Sequence, residues 1–145
     1  MASERQISVG SVPIGGGAPV AVQTMTKTET ANLTATMEQI RTVADAGADL
    51  VRVAVPRDKD VEALKTIVKR SPIPVIADIH FNHTLALKAI EAGAHCVRLN
   101  PGNIGGPEKV AEVIALAGAG FGMAAARRRG GGEHVGGPGE NLRGP

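Results

Sequence analysis

The chain has 145 residues and a formal net charge of +2, and its composition changes close to residue 118. Ten of the 19 glycines lie in residues 118–145, and the four arginines and two glutamates of that segment account for the whole net charge. The positive charge therefore does not describe a folded basic face, which argues against nucleic acid as a partner.

Hydropathy and cysteine content exclude further classes of protein. The chain has no apolar run of about 18 residues, so we expect no membrane-spanning helix and no membrane partner. Residues 1–10 lack the apolar segment of a signal peptide, and we therefore expect a cytoplasmic protein. The single cysteine, Cys96, cannot form an intrachain disulfide framework or an all-cysteine metal site.

The first 117 residues predict strands that alternate with helices. A short hairpin over Ile7–Ile14 comes first, with glycines 15–17 as its exit loop. The predicted parallel strands are about Pro19–Thr24, Asp49–Val55, Pro74–Ile79 and Cys96–Leu99. The predicted helices are about Leu33–Ala46, one capped by Asp58 with Val61, Leu64 and Val68 inward, one from Asn82 to Gly93, and one from Pro107 to Ala117. Asn32 and Asn82 are placed to cap helices, and Gly47 and Gly93 to end them.

An internal repeat favours a barrel. Residues 46–52 (AGADLVR) match residues 92–98 (AGAHCVR) at an offset of 46 residues, or two strand–helix units. Equal positions on strands two apart are typical of a (β/α) barrel, because its interior layers come from alternate strands. We therefore predict an α/β fold of the (β/α) TIM-barrel type with about the first four βα units. A doubly wound sheet is left open.

The end of the chain does not continue this pattern. A third Ala-Gly-Ala, at residues 117–119, predicts a fifth strand near Phe121, but the run that begins at Ala124 fits no strand pattern. We therefore divide the chain into the N-terminal half of a barrel, 1–117, and a Gly/Arg-rich tail, 118–145. The tail is rich in Ala, Arg, Gly and Pro and has no periodicity, which suggests disorder or translation of a GC-rich gene in a shifted frame.

Polar side chains are predicted to collect at the carboxyl ends of the strands, where α/β barrels bind ligands. Alternation along the second strand points Arg52 into the interior, and the repeat places Arg98 likewise. On the third strand, Asp78 and His80 share a side. The other candidates at these strand ends are Gln23, Thr24, Asn100 and Asn103.

These residues allow more than one kind of site. An arginine inside a barrel is costly unless it is paired or binds an anion. Two arginines at matching positions favour an anionic ligand, and the planar guanidinium suits a diphosphate. The alternative is an internal ion pair, in which Asp78 bridges Arg52 and Arg98 in an empty barrel. Asp78 and His80 could also supply two metal ligands, but no third ligand is apparent.

Other candidates have simpler interpretations. His83 is interpreted as a helix-start residue and His95 as a loop residue. Cys96 is interpreted as a small buried apolar side chain. Glycines 15–17 lack the preceding long strand and the Lys-Ser/Thr of a phosphate-binding loop, so a turn is favoured.

Five stretches of the sequence resemble one enzyme family. They are VGSVPIG (9–15), VQTMT (22–26), VRVAVP (51–56), ADIHF (77–81) and VRLNPGNIG (97–105). Together they resemble the 4-hydroxy-3-methylbut-2-enyl diphosphate synthases, which are iron–sulfur oxidoreductases of the methylerythritol phosphate route to isoprenoids. The resemblance covers roughly residues 5–117 in order.

The resemblance implies a barrel that binds 2-C-methyl-D-erythritol 2,4-cyclodiphosphate. It also implies a separate C-terminal domain, whose [4Fe–4S] cluster uses electrons from ferredoxin or flavodoxin to open the ring and remove a hydroxyl as water. Such enzymes are homodimers in which one subunit's cluster domain closes over the other's barrel. By position, Arg52 and Arg98 match arginines at the diphosphate, and the matching polar residues at the mouth are Asp78, His80, Asn100, Asn103, Gln23 and Thr24.

The chain departs from the resemblance after Met123, where the family continues with further barrel units and the cluster domain. Cys96 does not correspond to a cluster ligand, so we expect no catalytic residue, no metal ligand and no cofactor in this chain. We expect a fragment that is inactive alone and competent at most for partial substrate recognition. The alternatives are a non-catalytic anion-binding or assembly half-barrel, and another barrel enzyme that uses Asp78 and His80 as acid–base groups.

The shifted-frame hypothesis predicts what the gene contains. We expect the DNA downstream of codon 120, read in all three frames, to encode the missing barrel strands in a frame other than that of the tail. Sequencing that DNA tests the hypothesis, which is overturned if no frame encodes such strands.

Overall fold

A five-stranded parallel sheet organises the chain. The computed structural model describes residues 3–118 and 124–125. An antiparallel hairpin of β1 (Gln6–Val9) and β2 (Val12–Gly15) comes first. The parallel strands are β3 (Gln23–Met25), β4 (Leu50–Ala54), β5 (Val75–Ile79), β6 (Cys96–Leu99) and β7 (Ala124–Ala125). The helices are α1 (Leu33–Asp45), α2 (Asp58–Arg70), α3 (His83–Glu91), α4 (Pro101–Ile104) and α5 (Pro107–Gly118). None of the described helices is long and apolar enough to cross a bilayer.

The order and register of the strands are those of a barrel. The strands lie in the sheet in chain order, whereas a doubly wound sheet reverses its order at a switch point. Arg52 aligns with Ile76, and Ile76 aligns with Cys96. Arg98, the repeat equivalent of Arg52, therefore lies two residues further along the sheet. This slip of about one residue per strand is the stagger of an eight-stranded barrel with a shear of about 8, so the predicted TIM-barrel type is confirmed.

The prediction that no strand forms in the run beginning at Ala124 is wrong. Ala124 and Ala125 form β7, which pairs in parallel with Cys96 and Val97 of β6. Alanine has a weak preference for strands, but the open edge of β6 offers unpaired backbone groups, and pairing with them overrides the local preference. Gly118, the first residue of the predicted tail, is the last residue of α5, and the rest of the tail, residues 119–123 and 126–145, lies outside the described residues.

Two boundary predictions are also wrong, each for a local reason. The first parallel strand begins at Gln23 rather than Pro19, because its partner β4 begins only at Leu50, which is in register with Gln23. Val20, which the prediction placed in this strand, is 93% exposed. Asp58 does not cap α2 but is its first residue, and its carboxylate instead pairs with Lys88 of α3.

The caps of α1 and α3 confirm the sequence prediction. Asn32 Oδ1 accepts a hydrogen bond from the Ala35 N–H at 3.2 Å, and Asn82 Oδ1 accepts one from the Thr84 N–H at 3.0 Å. Gly47 and Gly93 follow the two helix ends with φ values of +102° and +92°, in the left-handed region that favours glycine. After Gly47 and Gly93 the chain continues directly into β4 and β6, the strands that carry Arg52 and Arg98.

Two apolar layers lie on opposite faces of the sheet. On the outer face, valines of β4 pack with the helices, and Ile40, Leu64 and Ile90 are among the buried contacts. On the inner face, Val9 of the hairpin packs on the first inward residues of three strands, which are Leu50, Ile76 and Cys96. Cys96 is fully buried there, as predicted for a small apolar side chain. The hairpin therefore covers the floor of the barrel interior and leaves the carboxyl ends of the strands for a site.

His95, in the loop before β6, is hydrogen-bonded to β5, and its burial leads us to expect that the stability of the fold depends on pH. Its Nδ1 accepts a hydrogen bond from the buried Val75 N–H at 3.0 Å, and burial lowers the pKa of His95 from its ordinary value of 6.5. Because the unfolded chain then binds more protons, the free energy of unfolding should be highest above about pH 6.5 and should fall as the pH drops below it.

The test is urea unfolding of the wild type and His95→Ala between about pH 5.5 and 7.5. We expect His95→Ala to lose about 1–2 kcal/mol at pH 7.5, because it leaves the Val75 N–H without its acceptor, and to show a flatter pH dependence. Asn82→Ala is the control, because it also removes a side-chain acceptor from a backbone N–H, that of Thr84, but no titratable group, and it should keep the wild-type slope. Equal slopes for the wild type and His95→Ala would contradict this account.

Candidate functional site

A buried carboxylate bridges two arginines on the inner face of the sheet. Asp78 of β5 is 0% exposed, and its Oδ1 accepts a hydrogen bond from Arg98 Nη1 of β6 at 2.7 Å. On its other side, Asp78 Oδ2 lies 3.1 Å from Arg52 Nε of β4. Strand alternation turns these three side chains inward, and their valine and isoleucine neighbours pack among the helices. The structure therefore brings Arg52, Asp78 and Arg98 together, as predicted. Their arrangement is that of the internal ion pair.

The two arginines are held unequally. Arg98 makes a hydrogen bond of good length to Asp78, whereas Arg52 Nε and Asp78 Oδ2 approach closely but make no hydrogen bond, because the N–H is not aimed at the oxygen. The Arg52 guanidinium also contacts a thioether, since its Nη2 lies 3.4 Å from Met25 Sδ. The side chains of Arg52 and Arg98 are 27% and 18% exposed, so both guanidiniums reach solvent at the mouth.

His80 extends the cluster toward solvent. Its Nε2 lies 3.5 Å from Asp78 Oδ2, and its side chain is 42% exposed. The adjacent Phe81 is 72% exposed, and its ring centroid lies 6.1 Å from that of His80. His80 directly follows the last residue of β5, and its approach to Asp78 places the two side chains on one side, as predicted. His80 is thus the group of the cluster that solvent reaches most easily.

The structure does not bring Gln23 and Thr24 to this cluster. Thr24 is in register with Val51, whose side chain packs on the helix-facing side of the sheet. Gln23 is on the inner face but at the level of Leu50, where it lines a groove beside the hairpin exit loop. The inward residue that reaches Arg52 from β3 is Met25, which the sequence analysis missed. Strand alternation combined with the register of β3 on β4 was the signal that could have found it.

Asn100 and Asn103 lie immediately after β6, on α4. Asn100 occupies the N-cap position of this four-residue helix, and its carbonyl oxygen accepts a hydrogen bond from the Asn103 N–H at 3.0 Å. Asn100 is half-buried and Asn103 is exposed. Helix α4 was not among the predicted helices, although Pro101 in its first turn is a typical start signal. That Asn100 and Asn103 contact a ligand remains a prediction.

The described residues contain no group of three His, Cys, Asp or Glu side chains that could hold a metal ion. Both oxygens of Asp78, one of the two metal ligands considered from the sequence, face guanidiniums. His83 lies at the first position of α3, as predicted, with Nε2 at 3.3 Å from Glu112 Oε2. His95 lies in the loop before β6, also as predicted.

The fold and the cluster together define a partial (β/α) barrel with arginines at its mouth, and comparison with known proteins specifies the family. Residues 4–121 match the family described as the GcpE TIM-barrel domain. The chain is 57% identical over 113 residues to the 4-hydroxy-3-methylbut-2-en-1-yl diphosphate synthase (flavodoxin) of Ruegeria sp. (strain TM1040). It is 58% identical over 110 residues to the enzyme of the same name from Persephonella marina. The chain therefore belongs to the GcpE TIM-barrel family, and the predicted resemblance is confirmed.

The alignments cover much more of this chain than of its relatives. They include 78% of this chain but 30% of the Ruegeria protein, and 76% of this chain but 31% of the Persephonella protein. The chain thus spans about a third of the length of the curated relatives that it matches.

Solved structures with low sequence identity share the fold. The dihydropteroate synthase of Yersinia pestis superposes with a TM-score of 0.62 at 16% identity, over 79% of this chain and 44% of that chain. The dihydropteroate synthase of Xanthomonas albilineans gives a TM-score of 0.55 at 17% identity, over 77% of this chain and 46% of that chain. At these identities the comparison supports the barrel architecture and nothing about ligands.

The iron–sulfur cluster implied by the resemblance does not fit the residues of this chain. A cluster of this kind needs several cysteine thiolates, and the chain has one cysteine. Cys96 is buried on the floor of the barrel interior, among Val9, Leu50 and Ile76, away from the mouth.

The bridge that the Asp78 carboxylate forms between Arg52 and Arg98 predicts a specific loss of stability when it is removed. Asp78→Asn removes the carboxylate between Arg52 and Arg98 and leaves two guanidiniums facing each other. We expect the free energy of unfolding in urea to fall by about 1–3 kcal/mol, less than for a fully buried pair because both arginines reach solvent. Asp45→Asn, at the exposed end of α1, removes the same charge and should change stability by less than about 0.5 kcal/mol. Equal effects of the two substitutions would contradict the bridge.

Proposed function

We propose that this chain is the diphosphate-binding part of a 4-hydroxy-3-methylbut-2-en-1-yl diphosphate synthase barrel. Its ligand would be 2-C-methyl-D-erythritol 2,4-cyclodiphosphate, with Arg52 and Arg98 contacting the diphosphate. The names of the relatives and the barrel family support the class of enzyme. The observation that carries the proposal is the pair of inward arginines that share one carboxylate at the mouth.

Charge balance favours an anion at this place. Two guanidiniums face one carboxylate, so the cluster has an excess of one positive charge before His80 is counted. A positive charge partly withdrawn from water is unfavourable unless an anion compensates it. A diphosphate supplies that compensation and also matches the fork of the guanidinium.

The free hydrogen-bond donors point to the same ligand. A guanidinium has five N–H donors, and Arg98 uses one of its nitrogens, Nη1, on Asp78. Arg52 directs Nη2 toward Met25 Sδ, which is a weak acceptor, and its Nε has no hydrogen bond to any residue that the structure describes. Among residues 3–118, most donors of the pair are therefore available, and Asp78 lies between the two arginines as their shared counter-charge.

Other residues of the mouth belong to the proposal with smaller roles. His80, Asn100 and Asn103 follow the same strand ends and are proposed as polar contacts to the sugar or the phosphates. Gln23 and Thr24 would need a different position from the one that β3 gives them, and we propose no direct contact for Thr24. For a whole protein of this family we propose a [4Fe–4S] domain, electron supply from flavodoxin or ferredoxin, a homodimer and a cytoplasmic location.

The geometry does not favour the alternative of a barrel enzyme in which Asp78 is an acid–base group. Both oxygens of Asp78 face cations and the side chain is fully buried, so a substrate proton has no access to it. A non-catalytic anion-binding half-barrel would use the same arginines. The two proposals differ in selectivity, because a synthase barrel should bind the cyclodiphosphate more tightly than inorganic pyrophosphate.

Titration calorimetry of the full chain tests the proposal. We expect the cyclodiphosphate to bind more tightly than inorganic pyrophosphate, and Arg52→Ala and Arg98→Ala each to weaken binding about tenfold or more, since each removes a charge-assisted contact. Arg70→Ala, at the exposed end of α2, is the matched control and should bind as the wild type does. Equal affinities for the two ligands would favour the non-catalytic anion-binding module, and no binding of either would overturn the proposal.

A further inference from the structure

A second buried carboxylate, Asp60, holds the loop between β3 and α1. Asp60 lies in the first turn of α2 and is 0% exposed. Its Oδ1 accepts a hydrogen bond from the Ala31 N–H at 2.9 Å, and its Oδ2 accepts one from Arg57 Nε at 3.2 Å. Both oxygens of this carboxylate are therefore used, one on the loop that spans residues 26–32 and one on the arginine beside it.

The second partner of Arg57 lies on the same loop. Arg57 Nη2 donates to Glu29 Oε1 at 2.6 Å, and Lys59 Nζ donates to the same oxygen at 2.8 Å. The hydrogen bonds from Lys59 and Arg57 lower the pKa of Glu29. The loop is thus joined to the start of α2 at two points, Ala31 and Glu29, and Asp60 is the fully buried member of this network.

Threonine hydroxyls complete the attachment. Thr30 is 2% exposed, and its Oγ1 donates to the Ala54 carbonyl oxygen at the end of β4 at 2.6 Å. Thr36 of α1 is 0% exposed, and its Oγ1 donates to the Glu29 carbonyl oxygen at 3.0 Å. The loop is therefore fixed on the side of the sheet where the strands end, next to the arginine cluster.

The other end of this loop touches Arg52. The Thr26 N–H donates to the Arg52 carbonyl oxygen at 3.0 Å, and the preceding residue, Met25, places Sδ 3.4 Å from Arg52 Nη2. Because Arg52 Nε makes no hydrogen bond to Asp78, Met25 supplies the hydrogen-bond acceptor seen on this guanidinium in the described part of the chain. The position of the loop therefore contributes to the direction in which Arg52 points.

We propose that Asp60 is a positioning residue for the diphosphate site. By holding residues 26–32, it keeps Met25 and Thr26 against Arg52 and so preorganises the Arg52 guanidinium. This inference rests on the proposed function, in which Arg52 contacts a diphosphate. Asp60 acts through the loop and does not touch the ligand. A guanidinium that is already oriented loses less freedom on binding, so the affinity for the anion rises.

Calorimetry of the full chain with inorganic pyrophosphate tests the inference. We expect Asp60→Ala to raise the Kd about threefold to tenfold, the range in which positioning residues modulate a distant site. Asp60→Asn keeps an oxygen for the Ala31 N–H and should recover most of that affinity. Glu62→Gln, on the exposed face of the same helix, removes an equal charge and should leave the Kd unchanged. All titrations are made well below the melting temperature of each variant.

A double-mutant cycle separates positioning from general loosening of the fold. If Asp60 acts through Arg52, Asp60→Ala should weaken binding in the Arg98→Ala background but add no loss in the Arg52→Ala background. A purely structural role would give the same loss in both backgrounds and would overturn the inference. Amide hydrogen exchange offers a separate readout, since Asp60→Ala should speed exchange at Ala31 and Thr26.

The outcomes distinguish the inference from the function on which it rests. If the wild type binds pyrophosphate and Asp60→Ala binds it equally well, the inference is wrong and the proposed function stands. If the wild type binds the cyclodiphosphate but not pyrophosphate, the same variants are titrated with the cyclodiphosphate. If the wild type binds neither anion, the proposed function fails and the inference fails with it. If Asp60→Ala does not fold, Thr30→Val removes the loop attachment at Ala54 instead and must raise the Kd in the same direction. An unchanged Kd for that variant overturns the inference.

Discussion

The buried Asp78 carboxylate, shared by Arg52 and Arg98, is the interaction on which the site depends. Asp78 lies in register with Arg98 and diagonally across from Arg52, because the sheet slips by about one residue per strand. Without this slip, the two arginines of the repeat would lie level with each other on either side of β5. The barrel stagger therefore places a single carboxylate within reach of both, at 2.7 Å and 3.1 Å.

The inner face of the sheet is divided into an apolar floor and a charged mouth. Each of the three central strands contributes an apolar inward residue followed, two positions later, by a charged one: Leu50 and Arg52, Ile76 and Asp78, Cys96 and Arg98. Val9 of the hairpin covers this floor, so buried apolar side chains lie directly below the charged residues. A dry floor strengthens the electrostatic interactions directly above it.

The sequence predicted those features that repeat at short range and missed those that depend on distant pairing. Alternation along β4 and β5 and the AGA–VR repeat correctly predicted that Arg52, Asp78 and Arg98 would meet. The strand at Ala124–Ala125 could not be predicted, because it forms on the open edge of β6 and not from its own preference. Asp60 was missed because its bond to Ala31 joins residues 29 positions apart, and no periodic pattern records such a contact.

The ion-pair and anion-site interpretations of the two arginines are compatible. A buried ion pair contributes little net stability, because well-packed apolar residues of similar size stabilise a fold as well or better. Stability alone therefore gives no reason for two arginines around one carboxylate, since the second guanidinium adds a desolvation cost and no matching counter-charge. An anion at the mouth supplies the missing charge, and the carboxylate then has a separate role, which is to hold both guanidiniums in place before the ligand arrives. On this argument the excess charge, rather than the ion pair itself, marks the site.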